Sequence, residues 1–166
     1  MENIGARLLI EEDASAVAPT ASLSGVAASL ARGVCRYFSS AGYGCLLETP
    51  LRSGRRADVM AIGPKGEIVI VEIKSGPQDY RTDKKWRDYA EFCDRFYFAV
   101  GKDFPQALIP AETGLILADR YGAAAIRDGP SHPLAGARRK AVTLRFARLA
   151  AMRLRATSDP EAMMVL

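Results

Sequence analysis

The chain has a single histidine, His132, among 166 residues. A lone histidine argues against histidine-based catalysis and against a multi-histidine metal site. Cysteine is nearly as scarce. Cys35, Cys45 and Cys93 form no CxxC pair and are odd in number, as expected of reduced core residues in a cytoplasmic protein. No stretch approaches the roughly eighteen apolar residues of a membrane-spanning helix, and no secretory signal is visible. Zinc-finger spacings, a P-loop and a dinucleotide-binding glycine fingerprint are all missing, as are internal repeats. What remains is an ordinary globular composition, 49% hydrophobic and 25% charged, with a formal net charge of +4. That balance permits a polyanionic partner without requiring one.

Against this background one stretch stands out. Arg55 to Lys74 reads RRADVMAIGPKGEIVIVEIK. It is two strands joined by a tight turn, with Asp58 on the first and Glu72 and Lys74 on the second. IVIVEIK is nearly continuous apolar sequence, the pattern of a strand covered on both faces. Acids and a lysine at the end of such a strand sit beside a core, where carboxylates persist only when paired or bound to metal. The competing reading is a surface hairpin with a charged end.

Register sharpens the point. Side chains alternate along a strand, so Glu72 and Lys74 share a face with Ile70 and Ile68, and Asp58 shares one with Met60 and Ile62. Opposed residues of an antiparallel pair lie on the same face. A three-residue loop, Pro64-Lys65-Gly66, sets Gly63 opposite Glu67 and hence Asp58 opposite Glu72. Such loops favour glycine at their left-handed last position, where Gly66 stands. A two-residue loop would place Asp58 opposite Val71.

The other elements follow from period and punctuation. Residues 1–20 lack periodicity and read as disordered, 21–156 as one domain and 157–166 as a tail. A helix runs from Ser22 or Ser24 to Ala41 with Leu23, Val26, Ala27, Leu30, Val34 and Phe38 on one side, and Gly42 stops it. CLLET (45–49) is a short strand. A second helix is expected over Lys84–Cys93 with Trp86, Tyr89, Ala90 and Cys93 as its stripe. RFYFAV (95–100), Gly114–Asp119 and Gly122–Arg127 are strands, the last two joined at Arg120-Tyr121. An alanine-rich helix covers Ala137–Ala156. The order predicts an α/β sandwich around a mixed sheet, an αβββαβ core followed by a hairpin and a helix, with the Lys84–Cys93 helix as crossover.

Two carboxylates from adjacent strands can hold Mg²⁺ or Mn²⁺, and a lysine two residues beyond the second lies on the same face. This is a set suited to phosphodiester hydrolysis, in which the lysine orients or deprotonates water or stabilises developing charge. Asp58…Glu72-Ile73-Lys74 resembles the PD-(D/E)xK signature of restriction-endonuclease-like nucleases, with Ala57 in place of the motif's proline. More closely, the run from GRRADV through VEIKSGPQDYRTDKKWRDYAEFCDRFYFAV to GLILADRYGAAAIR resembles the MmcB family of bacterial DNA-repair proteins, over roughly residues 24–155.

The resemblance implies a nuclease-like fold, a repair role on DNA with other repair proteins as further partners, and a cytoplasmic, nucleoid-associated location. It implies catalysis by Asp58, Glu72 and Lys74, and a metal held by Asp58, Glu72 and a preceding acid. Glu48 is the best candidate for that acid, ahead of Glu91. The alternatives are a nuclease fold that binds DNA or recruits partners without cutting, and an interaction subunit that does not touch DNA.

The expected DNA-contacting residues are Arg55 and Arg56 beside the acids, and Arg138, Arg139, Lys140, Arg145 and Arg148 in the last helix. Arg153 and Arg155 continue that basic run, and no acid lies between Asp128 and Asp159. Each group also reads as solvated surface. Gln78 and Asp79 either line the site or cap the next helix. Trp86 and Tyr89 either stack on bases or pack in the core.

Overall fold

The computed structural model describes residues 23, 25–78 and 85–161. The expected disordered segment 1–20, the candidate caps Ser22 and Ser24, Asp79, and the end of the expected tail lie outside them.

Six strands form one sheet in sequential order: β1 (Gly44–Pro50), β2 (Arg56–Ile62), β3 (Ile68–Lys74), β4 (Arg95–Val100), β5 (Gly114–Ala118) and β6 (Ala123–Arg127). β1–β2–β3 is an antiparallel meander, β3–β4 and β4–β5 pair in parallel, and β6 returns antiparallel. Helix α1 (Gly25–Ser40) covers one face and α2 (Gly136–Ser158) the other. This is the mixed α/β sandwich expected.

β3 shows why the apolar run was informative. All seven of its residues are buried. Ile68 and Ile70 pack with Phe98 and Val142 on the α2 side, while Val69, Val71 and Ile73 pack with Leu30, Val34 and Phe38 on the α1 side. Each such aliphatic chain contributes about 1.5–3 kcal/mol by leaving water.

The hairpin takes the predicted register. Val59 pairs with Val71 and Ile62 with Ile68. The Gly63 amide donates to the Glu67 carbonyl at 2.9 Å, and Gly66 closes the loop at φ +82°. The β5–β6 hairpin also turns where expected. Asp119 Oδ1 accepts the amides of Tyr121 (2.7 Å) and Gly122 (3.0 Å) there.

Two expectations need correction. Lys84–Cys93 is not an α-helix over its described part; it holds a single 3₁₀ turn, Trp86–Tyr89. The three-residue spacing of Trp86 and Tyr89 is the repeat of a 3₁₀ turn as much as half an α-helical stripe. Both rings stack on Phe96, with centroids at 5.7 and 5.6 Å, and Ala90 is exposed. Val26 does not join the α1 stripe and is 61% exposed. At 100° per residue it stands about 80° from the centre of the arc that Ala27, Leu30, Val34 and Phe38 define. Among the described residues no helix is long and apolar enough to cross a membrane.

Candidate active site at a fork in the sheet

β2 and β3 stop pairing before they end. Their ladder finishes at Val59–Val71, although β2 begins at Arg56 and β3 continues to Lys74. Beyond that point β2 stays with β1 (Thr49–Ala57, Pro50–Arg56) and β3 stays with β4 (Glu72–Phe98, Lys74–Val100). The sheet therefore forks where the acids stand.

The fork is bridged by the acids themselves. Glu72 Oε1 accepts the Asp58 amide at 3.2 Å, and Asp58 Oδ2 accepts the Ile73 amide at 2.8 Å. Each carboxylate thus meets a backbone N–H that ladder pairing does not satisfy, which burial makes costly to leave unpaired. Glu72 and Lys74 are 5% and 7% exposed. The Lys74 ammonium lies 5.8 Å from the centre of the Phe98 ring.

Burial raises the Asp58 pKa above the usual carboxylate value, and the Glu48 charge adds to the rise. The Ile73 amide and the charges of Lys74 and Arg56 oppose it.

Glu48 reaches the same level from the other side. β1 pairs Leu47 with Val59 and Thr49 with Ala57, so Glu48 stands opposite Asp58 in the sequence of pairs. It takes φ +47°, the one left-handed non-glycine residue among those described. Arg153 of α2 donates to the carbonyls of Leu47 and Glu48, clamping the kinked edge strand from outside. Arg56 Nη2 lies 3.2 Å from Glu48 Oε1, close enough for an ion pair. That buried oxygen nonetheless has no hydrogen-bond partner.

Glu48, Asp58 and Glu72 thus occupy one level of three successive strands, with Lys74 next to the last. Their donor chemistry, and a buried Glu48 oxygen that accepts no hydrogen bond, fit a hard cation such as Mg²⁺. The three carboxylates do not close on one point. Among the described residues no trio of His, Cys, Asp or Glu is arranged as a ready metal cage. Glu91 is not at the fork but pairs with Arg138.

The basic residues divide. Arg139 is a tertiary staple. Its guanidinium grips Asp94 with two bonds (2.6 and 2.7 Å) and donates to the Gly66 carbonyl at 2.7 Å. Asp94, 7% exposed, also accepts the amides of Ile68 (2.7 Å) and Leu134 (2.8 Å). Arg55 pairs with Asp88 at 2.8 Å, Arg138 with Glu91 at 3.1 Å, and Arg145 donates to the Pro50 carbonyl at 3.0 Å. Lys140 and Arg148 are exposed on α2. The expected phosphate-facing set is therefore partly spent on fold contacts: Arg139 above all faces a carboxylate, not solvent.

Tyr89 is buried and donates to the Arg56 carbonyl at 3.2 Å, and Trp86 stacks on Phe96, so both belong to the core. Gln78 is exposed. Sequence reasoning missed the Asp94–Arg139 staple and the Arg153 clamp. A lone acid before a strand was the one available signal for the first, and nothing marked the second.

The fold is a mixed α/β sandwich with an aspartate and a Glu-x-Lys at a fork between adjacent strands. The chain belongs to the MmcB-like DNA repair protein family, whose model matches residues 14–161. A solved structure of a protein of unknown function from Silicibacter pomeroyi is 47% identical, with a TM-score of 0.80, over 83% of this chain and 94% of that one. A repair endonuclease from Pyrococcus abyssi overlaps at 21% identity and a TM-score of 0.33, over 49% of this chain and 40% of that one. That overlap is too slight to bear on fold or site. No curated protein matches the chain.

Proposed function

We propose that the protein is a metal-dependent deoxyribonuclease acting in DNA repair. The observation that carries this reading is the alignment of Glu48, Asp58 and Glu72 across three strands at the fork, with the buried Lys74 beside them.

Asp58 and Glu72, with Glu48, would hold Mg²⁺ or Mn²⁺. When bound, such a cation activates water and neutralises charge on phosphate oxygens. Lys74 orients the attacking water or stabilises charge developing on the phosphorus oxygens, which a buried ammonium does more strongly than a solvated one. Exposed Lys140 and Arg148 on α2, with Arg56 at the fork, supply backbone attraction for DNA.

One observation favours a second reading, a nuclease fold that binds DNA without cutting it: Asp58 and Glu72 are each already engaged by a backbone amide across the fork.

Cleavage of a panel of single-stranded, duplex, branched and gapped DNA with Mg²⁺ or Mn²⁺ separates the two. Wild type is expected to cut at least one substrate, and Asp58→Ala and Lys74→Ala to fold but not cut. Equal cleavage by wild type and either variant would sink the nuclease reading. DNA binding that survives Asp58→Ala, with no cutting by any form, supports the second.

A further inference from the structure

A cavity of about 520 Å³ opens between the β1–β2 loop and α2. Its floor is apolar: Leu51, Met60, Phe92 and Val142 are buried there, and Phe146 is half-buried beside them. Its mouth is basic, lined by Arg52, Arg138 and Arg145. The one acid in the lining, Glu91, is already paired with Arg138. The site therefore wants an occupant that is flat or greasy at one end and anionic at the other. The volume lies within the range of pockets that enclose small organic groups.

The cavity lies beside the fork along β1 and β2. Thr49 and Pro50, which line it, follow Glu48 directly in β1. Met60 in its floor lies two residues from Asp58 on the same face of β2, about 7 Å along the strand.

We infer that this cavity receives an unpaired base of the DNA strand engaged at the fork, the base against Phe92, Phe146 and Met60 and a flanking phosphate against Arg52. A base held in duplex stacking cannot enter such a recess; one that is unpaired or extruded can. This rests on the nuclease-fold, DNA-directed reading above and narrows its substrate to DNA with single-stranded character. An acidic peptide shares the charge, and only one that carries an aromatic side chain would also share the planar end.

The test is binding in EDTA, where cutting cannot interfere, by anisotropy of a labelled short oligothymidylate and of a blunt duplex. Ala141→Trp fills the cavity from an exposed position on α2 without touching the acids. Wild type should bind the single strand, and Ala141→Trp should bind it about tenfold more weakly, the scale of one lost stacked base. Duplex affinity should stay within about twofold. Should Ala141→Trp fail to fold, Phe146→Ala removes the stacking surface instead and carries the same expectation.

Unchanged single-strand affinity in the folded variant, or an equal loss on duplex, overturns the inference. So does displacement of the oligothymidylate from wild type by polyglutamate but not by thymidine monophosphate, which would assign the cavity to a protein partner. Failure to cut DNA while this preference persists would remove the nuclease reading and leave the pocket intact.

Discussion

Replacing Arg139 with methionine tests whether the first basic turn of α2 serves the fold or the nucleic acid. The side chain makes three short charged contacts, two to Asp94 and one to the Gly66 carbonyl, and so ties α2 to the β2–β3 turn and to the start of β4. Methionine keeps much of the aliphatic stem but strands the Asp94 carboxylate, whose side chain is 9% exposed.

Breaking a fully buried pair costs 3–5 kcal/mol. The arginine side chain here is 31% exposed, so the lower end applies, about 3 kcal/mol. At roughly 3 °C per kcal/mol for a domain of this size, Tm should fall by about 9 °C.

Two features make the test specific. Adding Asp94→Asn to Arg139→Met should cost less than the two single losses together, because the stranded charge disappears. The pH dependence has a definite sign. Burial alone would raise the Asp94 pKa, but Arg139 and the amides of Ile68 and Leu134 outweigh it and hold it below the usual value. Its stabilisation is thus complete above the unfolded carboxylate range, about pH 4, and is lost as pH falls further. The gap between wild type and Arg139→Met should narrow in acid.

Thermal melts from pH 3 to 8 measure all of this. A loss of DNA affinity with Tm unchanged would refute the staple and return Arg139 to the phosphate-binding set.

Two further outcomes follow from the same geometry. Arg153→Met removes both donors that hold the carbonyls around the left-handed Glu48, so Mg²⁺ affinity should weaken severalfold while the sheet survives; unaltered affinity in calorimetry would show that Glu48 needs no clamp. Gly33→Ala, in mid-helix, would ordinarily stabilise by up to about 1 kcal/mol. Here the added carbon would stand 2.0 Å from the Asp119 carbonyl oxygen and 2.4 Å from that of Gly122, so a destabilisation of about 1–3 kcal/mol is expected in denaturant titration, and a gain would refute the close packing of α1 on the β5–β6 turn.

The hairpin was legible because its two determinants are local. Period-two alternation sets the faces, and a glycine three residues into the loop sets the register, so the Asp58–Glu72 level followed by counting. The sandwich was legible because β3 is apolar on both sides and α1 on one.

The fork was not legible. Counting places Asp58 opposite Glu72 but does not say that the backbone ladder gives way there and that the carboxylates replace it. The Trp86–Tyr89 segment misled because a three-residue aromatic spacing serves both helical forms, and stacking on Phe96 chose the tighter one. The arginines of α2 form one run in sequence, yet Arg139 and Arg153 belong to the fold while Lys140 faces solvent. Long flexible side chains find partners through tertiary approach, and a charge run carries no record of that.

The proposed nuclease requires that the fork bind a divalent cation. Calorimetric titration of Mg²⁺ into the full chain tests it most directly, with Asp58→Ala as the paired control. Saturable binding at or below the millimolar range is expected in wild type, and its loss in Asp58→Ala. No binding by wild type near millimolar Mg²⁺, in a protein that still binds DNA, would contradict it and leave a nuclease fold used for binding alone.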